Sequence, residues 1–237
     1  MRKLSWSKVV SLLAGLSLAV NSIMPSGAVA LASEEQCSEA DLIINGSFEY
    51  PVVDTTANWD IFGPLNFIPG WQAEWRSDVP LVWNDFQRPA PQIELERNYS
   101  GWAAQYGNQL TELDSDWDGP SGSLNGEPGS IHLWQNITTV PGANYEIKFW
   151  TSPRPGVDAA NNITEAKFGS TVLGVITEDG IANTNTVWTQ HVYTVAATVA
   201  VTQLMFTDLG TANSLGGFVD NVTVSRICEP EPDPCDF

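Results

Sequence analysis

Basic residues are scarce in this 237-residue chain: ten Lys and Arg stand against 28 Asp and Glu, for a formal net charge of −18. Phosphate binding needs clustered cations, so nucleic acid is excluded as a partner, and an anionic membrane surface with it. Histidine occurs only at His132 and His191. The chain holds no His-Glu-x-x-His and no Gly-x-Ser-x-Gly, so zinc proteolysis and Ser-His-Asp hydrolysis lack their usual signatures. Both histidines read as ordinary strand positions. The three cysteines form no C-x-x-C pair, which leaves a redox motif and a zinc ribbon unsupported. Past residue 32 no apolar run is long enough for a membrane helix. Heptads, a sustained 3.6-residue period and internal repeats are also missing from residues 41–226.

The first residues carry the most specific local signal. Arg2, Lys3 and Lys8 precede an apolar stretch over residues 9–20, and Ala28-Val29-Ala30 and Ala30-Leu31-Ala32 offer small-x-small cleavage points. This is the pattern of a secretory signal. Residues 1–32 are therefore read as a cleaved signal peptide, 33–40 as a linker, 41–227 as one domain and 228–237 as an acidic, proline-rich tail. Cleavage removes three cations and takes the net charge from −18 to −21. The remaining roughly 205 residues suffice for one large domain with a core. The expected location is extracellular, periplasmic or at the cell wall, with no membrane contact in the mature form. The acidity suits solubility, and it suits a protein that holds divalent cations.

In an exported protein cysteines are expected to pair. Cys37 precedes the first expected strand and Cys228 follows the last. A Cys37–Cys228 bridge would close a loop of about 190 residues, worth roughly 4–5 kcal/mol in the chain-entropy model. A Cys228–Cys235 ring within the tail is the rival pairing.

Short apolar stretches broken by Gly, Pro, Asn and Asp predict strands over residues 42–44, 91–96, 109–113, 130–138, 144–150, 163–168, 171–176, 187–195, 201–208 and 217–226. Alternation puts Tyr145, Ile147 and Phe149 on one face and Trp150 on the other. The fold class is all-β, an antiparallel sandwich. Two long connections, 54–85 and 114–129, hold Trp59, Trp71, Trp75, Trp83 and Trp117, and connections of that length tend to be functional.

Several motifs occur in a telling order: Asn45-Gly46-Ser47-Phe48-Glu49, Ile68-Pro69-Gly70-Trp71, Glu112-Leu113-Asp114, Gln135 ahead of Val140-Pro141-Gly142, Ser152-Pro153-Arg154-Pro155-Gly156, and Gly217-Phe218-Val219-Asp220-Asn221-Val222. Together they resemble the galactose-binding-like jelly rolls, in particular the plant and bacterial cell-wall family called domain of unknown function 642. They are more distantly similar to carbohydrate-binding modules. The resemblance spans residues 41–226. It implies a two-sheet jelly roll, a structural calcium ion and binding to wall polysaccharide. It maps the calcium carboxylates onto Glu49 and Asp220, with backbone oxygen near Asn45 completing the shell.

Read physically, Asp220 alternates with Phe218, Val222 and Val224 and so should share their face. A carboxylate aimed at a core needs a cation, or else a set of backbone amides to cap. Trp150 and Arg154 are the leading candidates for sugar contact. A tryptophan face packs on a pyranose. A guanidinium stiffened by Pro153 and Pro155 can bind a hydroxyl or a carboxylate, or it can pair with one of the many acids. Trp75, Trp83, Trp117 and Asn162 are further candidates, with core packing as the competing role for the rings.

The function expected from this reading is a non-catalytic module that binds an extracellular or wall polysaccharide. A structural or adhesive protein with a protein partner is the alternative. A glycoside hydrolase built on Glu94, Glu112, Asp114 or Asp116 is a third possibility.

Overall fold

Two antiparallel sheets face each other across one apolar core. The structure, a computed structural model, describes residues 37–63, 68–117 and 127–228. The segment 1–32, expected as a signal peptide, and the tail beyond Cys228, including Cys235, lie outside the described residues. The strands are β1 (Trp59–Phe62), β2 (Gln72–Trp75), β3 (Val82–Trp83), β4 (Phe86–Gln87), β5 (Ile93–Glu96), β6 (Leu110–Glu112), β7 (Ile131–Thr138), β8 (Asn144–Ser152), β9 (Ile163–Phe168), β10 (Thr171–Thr177), β11 (Thr189–Ala196), β12 (Val201–Asp208) and β13 (Phe218–Arg226). A six-stranded sheet runs β1-β5-β6-β13-β8-β11, a five-stranded sheet runs β10-β9-β12-β7-β2, and β3-β4 is a separate hairpin. The order skips between distant strands, as in a jelly roll. No α-helix occurs among the described residues, and none there is long and apolar enough to cross a membrane.

Period-two patterning builds this core. Tyr145, Ile147 and Phe149 of β8 point inward and meet Leu204 and Phe206 of β12, all essentially buried. Each such side chain contributes about 1.5–3 kcal/mol by leaving water. The expected strands from residue 91 onward are observed within a residue or two at most ends. The exceptions lie earlier. Residues 54–85, expected as a long loop, contain β1, β2 and β3, each of four residues or fewer. Such short pieces leave no periodicity to read.

The segment expected as a strand over 42–44 is irregular but still extends the sheet. Leu42 N donates to Val224 O at 2.8 Å, Val222 N donates to Gly46 O at 2.9 Å, and Asp41 Oδ1 accepts from Val224 N at 3.0 Å. The segment occupies the side of β13 that β6 leaves free, since β6 pairs only with Phe218 and Val219. A β-carbon at Gly46 would collide with the Val222 carbonyl, so this approach requires glycine.

The motifs quoted above interlock here. Trp71 stacks on Phe48, with ring centroids 5.0 Å apart, and its Nε1 donates to Asn45 O. Gln135 exchanges two hydrogen bonds with the Ile44 backbone. Gly70, at φ +85°, turns the chain against Ile44.

One expectation is corrected by β13 itself. The register with β8 shifts between Asp220 and Thr223, and Asn221 takes a left-handed φ of 49°. This bulge reverses the alternation. Phe218 and Asp220 face outward from the sandwich, while Val219, Val222 and Val224 join the core. Asp220 therefore does not point where the uninterrupted pattern puts it.

Cys37 and Cys228, 191 positions apart in sequence, form a disulfide with their Cα atoms 5.7 Å apart, which decides between the two pairings. We expect Cys37→Ser with Cys228→Ser to lower stability by about 4 kcal/mol, roughly 10 °C in melting temperature. A thermal melt of the double variant checks this. A loss within a degree or two would mean that the hydrogen bonds of residues 41–46 hold the end of the domain without the bridge.

Candidate binding cleft

The outer face of the six-stranded sheet carries charge instead of open surface. Register places Trp59, Glu96 and Leu110 in one row, Asp220 beside Trp150, and Glu94, Glu112, Phe218 and Ser152 in a row across the sheet. The connection between β5 and β6, residues 97–109, lies over this face. Two carboxylates hang it there. Asp220 Oδ2 accepts from Gln105 N at 2.8 Å and Tyr106 N at 3.0 Å, and its Oδ1 accepts from Asn221 N at 2.6 Å. Glu49 Oε1 accepts from Asn108 N and Gln109 N at 2.7 and 2.8 Å. Gly107 between them, at φ +72°, leaves no room for a β-carbon against the Glu49 carboxylate. Trp188 Nε1 and Thr186 Oγ1 add bonds to the Ala103 carbonyl.

Beneath this connection Arg154 is stacked between rings, its guanidinium carbon 5.1 Å from the Trp102 centroid and 5.9 Å from that of Phe218. Its Nη1 bonds Glu112 Oε2 and lies 3.5 Å from Glu96 Oε1. Burial opposes its charge, but the carboxylates of Glu112, Glu96 and Glu94 outweigh that and raise its pKa. The three glutamates in turn are raised, first by their own desolvation; the charge of Arg154 only partly offsets this. Their carboxylate oxygens lie within 4.8 Å of one another and could ligate a cation, with Arg154 already placed among them. Of the two roles the sequence leaves open for Arg154, the geometry shows the ion pair.

A cleft of about 360 Å³ opens beside this cluster, lined by Trp59, Glu94, Tyr99, Asp116, Glu127, Arg154, Asn213, Ser214 and Leu215. Tyr99 stands in a single 3₁₀ turn between Asn98 and Ser100, both left-handed at φ 54° and 50°, an uncommon arrangement that fixes its ring at the cleft. Glu94 Oε2 accepts from Asp116 N at 3.0 Å. Burial and a hydrogen bond with Asp116 raise Glu127 to about 8. Asp114, fully buried, accepts from Gly129 N and Asn213 N and so fixes the two segments that carry Glu127 and Asn213. A larger groove of about 530 Å³, with Arg97, Trp102 and Asn108, flanks the other side of residues 97–109.

The expected site residues divide. Trp150 lies on the outer face, half-buried, between Asp220 and Gln190. Arg154 reaches the cleft but through an occupied guanidinium. Trp75 and Trp117, at 9 and 3 % exposure, pack on each other 6.1 Å apart in the core and offer no face to a ligand. Trp83 is half-buried in the β3-β4 hairpin against the core. Asn162 is 3 % exposed and spends its amide on Arg154 N, Val157 O and Asp158 O, shaping the turn after β8. For these three buried groups, Trp75, Trp117 and Asn162, packing and turn formation replace the expected sugar contact. Asn45 is likewise engaged in the turn, its carbonyl by Trp71 and Phe48 and its side chain by Tyr50. Tyr99, Glu127 and Asn213 escaped the sequence reading because loop residues brought together by folding leave no spacing signal.

No family model matches the chain, and no curated protein matches it in sequence. The fold does have likenesses among solved structures. A Stig cyclase, Fisc, from Fischerella sp. TAU in complex with an indole compound matches at a TM-score of 0.53 with 16 % identity, over 81 % of this chain and all of that one. A cyclase from Fischerella sp. TAU gives 0.50, also at 16 % identity over the same shares. The carbohydrate-binding module TmCBM61 in complex with β-1,4-galactotriose gives 0.40 at 12 % identity, over 79 and 99 %. At these identities the two cyclase likenesses establish the fold alone, and the resemblance to the plant wall family rests on the quoted motifs.

The buried carboxyls make stability depend on pH in an unusual direction. Burial raises Asp220 to about 7 against the amides it accepts, and Glu127 stands at about 8. Both would titrate near 4 in the unfolded chain. Above that, the folded state holds more protons than the unfolded one, so stability falls as pH rises through 7 to 8. His132 and His191, lowered chiefly by burial, cost stability only below about 6.5, their unfolded value. Between pH 8 and 6.5 the carboxyls therefore act alone, and acidification should raise the melting temperature by roughly 3–8 °C. Glu127→Gln should remove part of that slope. A flat profile, or one rising toward pH 8, would mean that these carboxyls are charged in the folded protein.

Proposed function

We propose that this is a secreted, non-catalytic glycan-binding domain whose binding site is the cleft beside Arg154. The observation that carries this reading is the combination of two ring faces, Trp59 and Tyr99, with carboxyl, amide and hydroxyl groups from Glu94, Asp116, Asn213 and Ser214 around one opening. Rings pack on the C–H face of a sugar, and planar polar groups take up its hydroxyls. Arg154 acts from below, holding Glu112 and Glu96 so that the sheet under the cleft keeps its shape. The disulfide supports an oxidising destination, in line with the signal-like start of the chain. Binding to an array of wall and storage polysaccharides tests the function. Trp59→Ala should weaken the best ligand about tenfold, ~1.4 kcal/mol. Trp150→Ala should leave it unchanged; if instead Trp150→Ala alone abolishes binding, the site belongs on the far side of residues 97–109.

A calcium ion at Glu49 and Asp220 fits in part. The two carboxylates interact unfavourably, since the charge of Glu49 helps raise Asp220, and no side-chain cation is among the hydrogen-bond partners of Asp220. A hard cation between them would relieve both, and each carboxylate retains a lone pair on its less engaged oxygen, Asp220 Oδ1 and Glu49 Oε2. Such an ion would supply charge to the first and last segments and no chemistry. Millimolar calcium should raise the melting temperature by several degrees over chelator, and Asp220→Asn should abolish the difference. Equal melting with calcium and chelator would leave Asp220 as a cap for Gln105 and Tyr106 only.

A further inference from the structure

The cleft is rich in acceptors and poor in donors. Glu127 is 1 % exposed, yet among the described residues its Oε2 meets no hydrogen-bond donor. Asn213 Oδ1 is buried and equally unmatched. Both residues line the cleft. An unsatisfied buried acceptor costs about 1–3 kcal/mol, so two at one opening call for donors brought from outside. Charge points the same way. Glu94, Asp116 and Glu127 line the cleft, with Glu96 and Glu112 behind them. Among the described residues the one cation lining it, Arg154, is already engaged by Glu112 and Glu96. A neutral hydroxyl brings one donor and an acceptor, whereas an ammonium brings three donors and a positive charge. Trp59 and Tyr99 provide ring faces that suit a pyranose and favour a cation beside it.

Building on the glycan-binding reading, we propose that the cleft selects a sugar bearing a free ammonium group, the aminosugar unit of a deacetylated polysaccharide, with that group set against Glu127 and Asn213. The carboxyl of Glu127 is raised to about 8 by burial and its bond with Asp116, so it is protonated below neutrality. An ammonium beside it favours the carboxylate, and the displaced proton passes to the buffer. Asp116 is the charged group that acts on Glu127 directly; Glu94 from β5, which accepts from Asp116 N, and Arg154 from the turn after β8 line the same cleft.

Titration calorimetry at about pH 6 on the full chain tests this, with four hexamers as probes: glucosamine, N-acetylglucosamine, glucose and lysine. The glucosamine hexamer should bind at least about tenfold more tightly than the two neutral sugars, and its binding heat should vary with the ionisation enthalpy of the buffer, which reports proton release. Glu127→Gln should abolish the release and weaken binding. Asn213→Ala, at a partly exposed residue whose backbone amide holds Asp114, should weaken binding without touching the carboxyls. Equal affinity for the glucose hexamer overturns the selectivity and leaves the glycan-binding reading standing. No binding of any sugar overturns both. Binding of the lysine hexamer as tight as that of the glucosamine hexamer, or indifference to both variants, overturns the cleft as the selective site.

Discussion

Everything distinctive about this domain depends on how residues 97–109 are held down on the six-stranded sheet. They lie over the outer face, where Phe218 and Leu110 are buried and the side chain of Arg154 is 12 % exposed. The anchors are carboxylates, Asp220 from the last strand and Glu49 from the first segment, each accepting two consecutive amides of the connection. Because the first segment also lies along β13 and the disulfide joins their ends, both anchors sit on one stapled unit. The covering segment is thus registered against the most constrained part of the molecule.

That cover creates the low-dielectric setting in which Arg154 and three glutamates face each other. A buried ion cluster is weak evidence for stability, since desolvation offsets most of the Coulombic gain. Its value lies in directional preference. Arg154 meets Glu112 and Glu96 while lying over Trp102, a ring carried by the connection, so the cluster ties the connection to the sheet. Glu112 also accepts from Gly216 N, which draws the 213–216 turn toward the cleft. One cluster therefore sets both walls of the opening, Tyr99 on one side and Asn213 on the other.

How much of this was legible in the sequence follows from which signals are local. The alternation in β8 put Trp150 outside and Phe149 inside, and the structure agrees, because a nine-residue strand offers enough period to read. The same logic failed at Asp220, where one left-handed residue, Asn221, reversed the phase. A bulge of a single residue leaves almost no compositional trace. The motifs from Asn45 to Trp71 implied a jelly roll correctly because they are packing motifs: Phe48 stacks on Trp71, and Gln135 bonds the Ile44 backbone. Aromatic content misled at Trp75 and Trp117, since a loop tryptophan and a core tryptophan look alike until the hairpin that buries them is known. The cleft was least legible of all. Glu94 and Asp116 were visible only as members of a large acid population, and nothing in sequence ties Glu127 to Tyr99 across 28 positions.

The charge state of that cleft is where fold and function meet. Carboxyls retained in a buried site at a cost in stability need a compensating gain when something binds. A neutral occupant would leave them protonated and merely shield them further from water. A cationic occupant would return them to their charged form and satisfy the orphaned oxygens of Glu127 and Asn213 at once. The same desolvation that destabilises the empty site would then strengthen attraction in the filled one, because both scale with the loss of solvent. On this argument the acid cluster belongs to recognition, and the ordinary sandwich around it carries the cost.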